Sequence, residues 1–292
     1  MTTQRRVEVS HPDRVYWPLS GITKGDLIAY YRALAPVMLP HFNDRPVTVR
    51  AFPEGIAGPS FYRRNRPANA PDWIPGVEYV TRSDRHSLTV PVIGDAAGLI
   101  WFANRGGIEF HLWASRRPRL SEPDLVIFDL DPGEKAPFEA VLEAALELRS
   151  LLADLGVSGH PKTSGGSGLH VYAGVVEGLS FETTRDWVRD VARRLDQRTS
   201  GRITPAHGST HRGVGITVDH AQNSIGRNTA APYTVRARPG APVSTPLEWA
   251  EVEAGGFVPA DLNLGNVPDR VRDRGDLFAP VLTERNELPP VE

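Results

Sequence analysis

Apolar positions fall into two regimes along this chain. Up to about residue 113, short apolar runs alternate with Pro/Gly-rich loops; from residue 125, longer segments switch between strand-like and helix-like periods. Thr23 followed by Asp26 has the form of a capping box, and Leu27, Tyr30, Tyr31, Leu34 and Met38 recur at helical spacing. A helix over about 24–38 is predicted. Arg45-Pro46-Val47-Thr48-Val49-Arg50 alternates like a strand, and Phe61-Tyr62-Arg63-Arg64-Asn65-Arg66 follows a Pro/Gly loop. Further short strands are expected near 88–92, with the apolar runs Leu99-Ile100-Trp101-Phe102 and Ile108-Glu109-Phe110-His111-Leu112-Trp113 completing this half. The second half reads strand, helix, strand, helix, strand over 125–131, 138–154, 169–175, 182–197 and 213–219. The apolar faces of its two helices are ordinary core material. The tail from about Pro242 is loop-rich, with one short helix near 246–254.

With 292 residues, 40% of them hydrophobic, the chain can bury a sizeable core in one large domain or two closely packed ones. No apolar run is long enough for a membrane span, and Met1 to Arg6 lacks a signal-peptide core, so the expectation is a cytoplasmic protein with no membrane partner. Cysteine is absent, which excludes disulfides and thiol nucleophiles and leaves carboxylates and imidazoles as metal ligands. Magnesium or manganese suits that set. The net charge of −2 hides an asymmetry: residues 1–120 carry 16 Lys/Arg against 10 Asp/Glu, and residues 121–292 carry 17 against 25. The amino-terminal part is the better nucleic-acid face.

Chemistry concentrates in Phe128-Asp129-Leu130-Asp131-Pro132. Residues i and i+2 of a strand share a face, so Asp129 and Asp131 should emerge together at the end of the apolar run Leu125-Val126-Ile127-Phe128. Two acids so placed repel unless one takes a proton or a cation sits between them. A third ligand is offered by Asp219, which ends the β-branched run of 215–219; the plainer reading is that these acids cap turns. Thr163-Ser164-Gly165-Gly166-Ser167-Gly168-Leu169-His170 is a glycine-rich loop before a strand, able to meet a triphosphate or to be merely a flexible turn. It has neither the P-loop nor the dinucleotide spacing. His111 sits in an alternating strand where a structural role is the simpler reading, and Arg212 and Arg236 flank the Asp219 strand. Phe61 and Tyr62 beside Arg63, Arg64 and Arg66 combine stacking surface with cations, as single-strand binding requires, although core aromatics explain the same pattern.

At these residues the chain resembles the polymerase domain of bacterial ligase D, in the archaeo-eukaryotic primase superfamily. The resemblance runs from Ser10-His11-Pro12-Asp13-Arg14-Val15 and Gly21-Ile22-Thr23-Lys24, through both motifs above, to Asp219, Gln222-Asn223 and Ala230-Ala231-Pro232-Tyr233-Thr234-Val235-Arg236. It implies an α/β (α+β) fold with an RRM-like sheet module packed on an amino-terminal α/β module. One polymerase domain would fill 1–292: a DNA-facing part over 1–120, a metal- and nucleotide-binding part over 121–240 and a packing segment over 241–292. The chain looks like a stand-alone member of this kind.

By the same resemblance Asp129, Asp131 and Asp219 hold two divalent cations, Mn2+ or Mg2+, with Asp219 chiefly serving the one nearer the primer 3′-hydroxyl. Ser164, Ser167, His170, Arg212 and Arg236 lie on the triphosphate side, His111 on the sugar and phosphate side, and Arg50 near the active site. Phe61 and Tyr62, with Arg63 and Arg64, face template and nascent pair, and Arg14 and Lys24 form a 5′-phosphate pocket. The implied partners are gapped or broken DNA ends and template-primer, with NTP or dNTP as substrate and with a DNA ligase and Ku as candidate proteins, for a monomer at the nucleoid. Ser167 stands where end-joining relatives usually carry lysine, and His11 and Arg14 where asparagine and lysine are common. Two rival expectations are an Asp-nucleophile phosphohydrolase, whose apolar strand also ends in Asp-x-Asp, and a non-catalytic DNA-end-binding module.

Overall fold

The computed structural model describes residues 5–81, 85–206 and 213–291. In chain order the elements are β1 (Val15–Trp17), β2 (Ile22–Thr23), α1 (Lys24–Phe42), β3 (Val47–Ala51), β4 (Phe61–Arg63), β5 (Gly76–Val80), β6 (Ser87–Pro91), α2 (Ala96–Ala103) and β7 (Gly107–Leu112). The second half holds β8 (Leu125–Pro132), α3 (Phe138–Asp154), β9 (His160–Thr163), β10 (Leu169–Gly174), α4 (Phe181–Thr199), β11 (Ile203–Ala206), β12 (Ile216–Asp219), β13 (Thr229–Ala230), α5 (Trp249–Ala254), α6 (Val267–Arg274) and α7 (Pro280–Thr283). Among the described residues no helix is long and apolar enough to cross a membrane.

The capping box at Thr23 and Asp26 forms and starts α1, which runs one turn past its expected end. The run 99–102 is helix rather than strand. Asp95 caps α2 by accepting from Gly98 N, and the helix is buried almost all round, so it leaves no amphipathic period to read. Two short strands, β9 and β11, were not expected from the pattern, and the tail carries α6 and α7 besides the one expected helix.

Two sheets dominate. The larger has the order β11-β12-β8-β10-β9, antiparallel except for the β11–β12 pair. Taking β8, β9, β10 and β12 as strands 1 to 4 gives the order 4-1-3-2, with α3 and α4 in the two crossovers: the RRM-like arrangement. Strand alternation divides this sheet. Val126, Phe128 and Leu130 of β8, Leu169 and Val171 of β10, and Ile216 and Val218 of β12 pack against α3 and α4 in one core cluster. Phe128 meets Trp187 of α4 edge-on at 5.9 Å. The opposite face carries Leu125, Ile127 and Tyr172 in a separate apolar cluster and, toward one end, Asp129 and Asp131, His170, Lys162, Thr217 and Asp219.

The second sheet has the order β13-β7-β3-β4, and its inner face, with Val47, Val49, Ile108, Phe110 and Leu112, packs with α1 and α2 into a second core. Its outer face presents Tyr62, Arg50 and Glu109 in one cross-strand row and Thr48, His111 and Ala230 in the next. Because β13 follows β12 closely in the chain, the polar faces of both sheets border one cleft.

Candidate active site

The cleft is lined by His111, Asp129, Asp131, Ser164, Gly166, Ser167, His170, Gln222, Asn228, Arg236 and Arg238, among others. Asp129, His170 and Lys162 are direct cross-strand partners on β8, β10 and β9. His170 Nε2 lies 3.0 Å from Asp129 Oδ1, and Lys162 Nζ donates to His170 Nδ1 at 2.8 Å and to Ser244 Oγ at 2.6 Å. All three are buried, so the pattern of alternation has been used to line up a lysine, a histidine and a carboxylate where only apolar side chains are usual. Burial, then the charge of Arg236, pushes the Lys162 ammonium well below its ordinary range, while burial and the Lys162 charge do the same to His170.

Asp131 sits one rung beyond, open to solvent and opposite Thr217. Its carboxyl is pushed up to about 7, first by the charge of Asp129, then by burial and by Asp219. Burial raises Asp129 to about 6 against the pull of Lys162 and Arg236. Asp219 is raised by burial, with Asp129 adding to it, although its Oδ1 accepts from Ala221 N at 2.9 Å and caps the following turn. That turn is pinned over β8: Asn223 Oδ1 accepts from Ile127 N at 2.8 Å, and its Nδ2 donates to Ile127 O at 2.7 Å. The three acids therefore stand on adjacent strands within electrostatic reach of one another. Among the described residues no three His, Asp or Glu side chains are already gathered at ligating distance. The set nonetheless fits a divalent cation. Carboxylate oxygens suit Mg2+ or Mn2+, mutual repulsion is what a cation between them would relieve, and Thr217 Oγ1 beside them is buried without a hydrogen-bond partner.

The glycine-rich loop is folded tightly onto this cluster. Ser164 Oγ accepts from Gly166 N at 3.1 Å and from Gly168 N at 3.2 Å. A Cβ on Gly168 would come within 2.4 Å of Leu130 O and 3.2 Å of Asp131 Oδ1, so only glycine lets the loop approach the acids. Gly165 has φ +67, and a Cβ there would strike the Arg236 side chain at 2.5 Å. Arg236 in turn donates to Ser164 O. Ser167 is exposed where the loop lines the cleft.

The second sheet supplies the opposite wall. Glu109, unremarked in the sequence, is its hub: His111 Nε2 donates to it at 3.0 Å and Ala237 N at 3.0 Å, with Arg236 Nε at 3.4 Å and Arg50 at 3.5 Å. Burial opposes its ionisation, but the His111 hydrogen bond and the Arg236 charge outweigh this and hold its pKa at about 2. Burial also lowers His111. Glu109 is thus easier to ionise folded than unfolded. The stability it supplies is full above its ordinary range near 4.5 and is lost as pH falls toward 2. That loss should be on the order of 3 kcal/mol. Acid-induced unfolding monitored by circular dichroism should show it as a steep fall between about pH 4.5 and 2 that flattens in Glu109→Gln.

The residues expected to face DNA divide between two faces. Tyr62, half exposed, stands over the cleft with its ring 6.0 Å from that of His111 and 5.5 Å from the Arg50 guanidinium. Phe61, its neighbour on β4, turns to the other face and stacks with Arg63 at 5.1 Å, so the two aromatics do not form one platform. Arg64 is exposed. Arg14 and Lys24 are brought together by the β1–β2 turn, where Lys24 N donates to Arg14 O at 2.8 Å. Lys24 Nζ is buried and donates to Ser10 O at 2.5 Å; Arg14 donates to Pro53 O at 3.0 Å. Burial, then the charges of Arg14 and Arg105, lowers Lys24, and Arg63 acts likewise on Arg105. Arg14, Lys24, Arg105 and Arg63 thus form a chain of cations, each within electrostatic reach of the next, with Lys24 buried. Arg212 lies outside the described residues. Lys162, Glu109, Arg105 and Arg238 were missed because nothing in their local spacing marks them; only the folded register brings them to the sites.

A basic, aromatic-edged cleft with clustered acids on an RRM-like sheet defines a nucleotidyltransferase architecture. The family model for the LigD primase-polymerase domain matches residues 23–278. Among relatives, the multifunctional non-homologous end joining protein LigD of Mycolicibacterium smegmatis is 32% identical over 283 residues, 96% of this chain and 37% of its own length. The Mycobacterium tuberculosis H37Rv LigD, a non-homologous end joining DNA repair protein, is 33% identical over 284 residues, with 94% of this chain and 37% of the relative covered. The solved polymerase domain of Mycobacterium tuberculosis ligase D in complex with DNA superposes with a TM-score of 0.90 at 32% identity, covering 97% of this chain and 100% of that one. The chain belongs to the LigD primase-polymerase domain family, whose members are nucleotidyltransferases acting on DNA. It spans little more than a third of the length of those two curated relatives.

Proposed function

We propose that the chain extends or fills DNA strands by template-directed nucleotidyl transfer at gaps and broken ends carrying a 5′-phosphate, in end-joining repair, using ribonucleotides as well as deoxyribonucleotides. The observation that carries this reading is the placement of Asp129, Asp131 and Asp219 on adjacent strands, beside a glycine-rich loop and facing a wall of arginine and histidine. Asp129, Asp131 and Asp219 would hold two divalent cations, Mg2+ or Mn2+, whose charge when bound lowers the pKa of the attacking 3′-hydroxyl and offsets charge on the departing pyrophosphate.

The chain's own residues do the rest. Arg236 and Arg50 draw the triphosphate into the cleft and orient it by forked N–H donors. His170, held between Lys162 and Asp129, stays in one orientation at the acid cluster. Ser164 closes the glycine loop, so that the phosphate chain meets a rigid wall. Tyr62 offers a ring face to the base of the incoming nucleotide or its template partner. Arg14 and Lys24 would grip a 5′-phosphate across the gap, and Arg63 and Arg105 would continue that contact along the backbone. A DNA ligase and Ku remain proposed partners, as does action as a monomer in the cytoplasm.

Tyr62→Ala should raise KM for the nucleotide by about 5- to 150-fold, the range expected for removing one base-stacking contact of ~1–3 kcal/mol. Steady-state extension with varied nucleotide concentration checks it. The reading as a whole is tested by extension assays on gapped, recessed and primer-free templates, with rNTPs or dNTPs and with Mg2+ or Mn2+. Template-complementary addition at gaps, dependent on metal, is the expected result; phosphate release without addition, or DNA binding with no addition in any combination, refutes it.

A further inference from the structure

Glu109 is an anion buried in the wall that must receive a polyanion. Its side chain is 2% exposed, and it gathers donors from three separate chain segments. His111 Nε2 and Arg236 Nε approach one oxygen at 3.0 and 3.4 Å, and Arg50 and Ala237 N the other at 3.5 and 3.0 Å. The two arginine contacts are ion pairs longer than good hydrogen bonds, and the buried Nε atoms of both arginines have no hydrogen-bond partner. Arg236 Nη1 donates to Ser164 O and Arg50 Nη2 lies 3.4 Å from Ser60 Oγ, so each guanidinium is held by one such contact and by the charge of Glu109, with donors left for another ligand. Without a negative charge between them the two cations would repel, and each would swing toward solvent or its aromatic neighbours; Arg50 already lies 4.9 Å over Phe52 and 5.5 Å over Tyr62. An ionised carboxylate also accepts only, so the His111 ring must present its Nε2–H to Glu109.

We infer that Glu109 is the positioning residue of the triphosphate wall: its carboxylate fixes the spacing of Arg50 and Arg236 and the orientation of His111, so that the cleft accepts a triphosphate in preference to shorter anions. This rests on the nucleotide site proposed above. It also makes a counter-intuitive demand, since deleting a negative charge from an anion site would by simple electrostatics tighten binding.

The test is calorimetric binding of inorganic triphosphate and of pyrophosphate to the full chain, for wild type, Glu109→Gln and Glu109→Asp, together with nucleotide KM, kcat and DNA affinity. Glu109→Gln should bind triphosphate at least about ten-fold more weakly, lose its preference for triphosphate over pyrophosphate and raise nucleotide KM more than it lowers kcat, with DNA affinity unchanged. Glu109→Asp, one methylene shorter with its charge kept, should recover part of that loss. Triphosphate binding by Glu109→Gln equal to or tighter than wild type overturns the inference, as does a Glu109→Asp variant no better than Glu109→Gln. Should Glu109→Gln not fold, Glu109→Asp decides alone: weakened triphosphate binding with normal DNA affinity supports the inference, and unchanged binding overturns it. Because anion binding is measured without polymerisation, a wild type that fails to extend primers refutes the functional reading separately.

Discussion

Asp129→Ala and Asp131→Ala should each lower templated nucleotide addition by about 1,000-fold or more, the consequence of losing several kcal/mol of charge stabilisation in the transition state. The fold should survive both changes. Asp131 is at the solvent-facing end of β8, and Asp129 lies on the polar face of the sheet, away from the Val126, Phe128 and Leu130 side chains that anchor α3 and α4. DNA affinity should also persist, because the cations proposed to contact DNA, Arg14, Lys24, Arg63 and Arg105, belong to the other half of the molecule. Asp129→Ala carries a further expectation. Removing its carboxylate frees His170 from its contact at 3.0 Å, so conservative replacement by Asn should preserve the ring position yet still lose activity. Primer extension by the purified variants, with circular dichroism and DNA binding alongside, separates these effects. Retained extension by both alanine variants would remove the acids from the mechanism.

The second large effect runs in the opposite direction for stability. Asp131 holds its proton more tightly in the folded chain, at about 7, than the ordinary carboxylate near 3.8. The folded state therefore binds more protons than the unfolded one between these values, and stability in metal-free buffer should fall as pH rises from about 4 to about 7. Asn at this position cannot ionise. Asp131→Asn should thus melt about 2–4 °C higher than wild type at pH 8 with chelator present, a modest shift because solvent screens the group. Adding Mg2+ or Mn2+ should raise the wild-type Tm and leave the variant nearly unmoved, since the ions stabilise the state that holds them. Thermal melts across pH, with and without metal, check both halves. A variant that is less stable than wild type under chelation would mean that the acids are not in repulsion.

How legible all this was in the sequence depended on whether a residue's role is local. The capping box before α1, the strand ending at Asp131 and the glycine loop before β10 are written in adjacent residues, and the structure realises each. The alternation that puts Asp129 and Asp131 on one face is a property of any strand. The run Leu99-Ile100-Trp101-Phe102 misled because a helix buried on nearly every side has no polar stripe, and only Asp95, four residues earlier, marks its start. β9 was unreadable as four residues with a proline, tolerated because it is the edge of its sheet. Lys162 and Glu109 look like any charged residue until register sets one opposite His170 and the other opposite Arg50. Phe61 and Tyr62 show the reverse error: adjacency suggested one stacking surface, and strand alternation splits them between two faces.

The claim beneath the whole reading is that Asp129, Asp131 and Asp219 share bound cations. Titrating Mn2+ into the chain with nucleotide present, and following the free-ion signal by electron paramagnetic resonance, measures it directly. Bound Mn2+ should fall when any one of the three is replaced by asparagine; binding that is undiminished in all three variants would contradict the account.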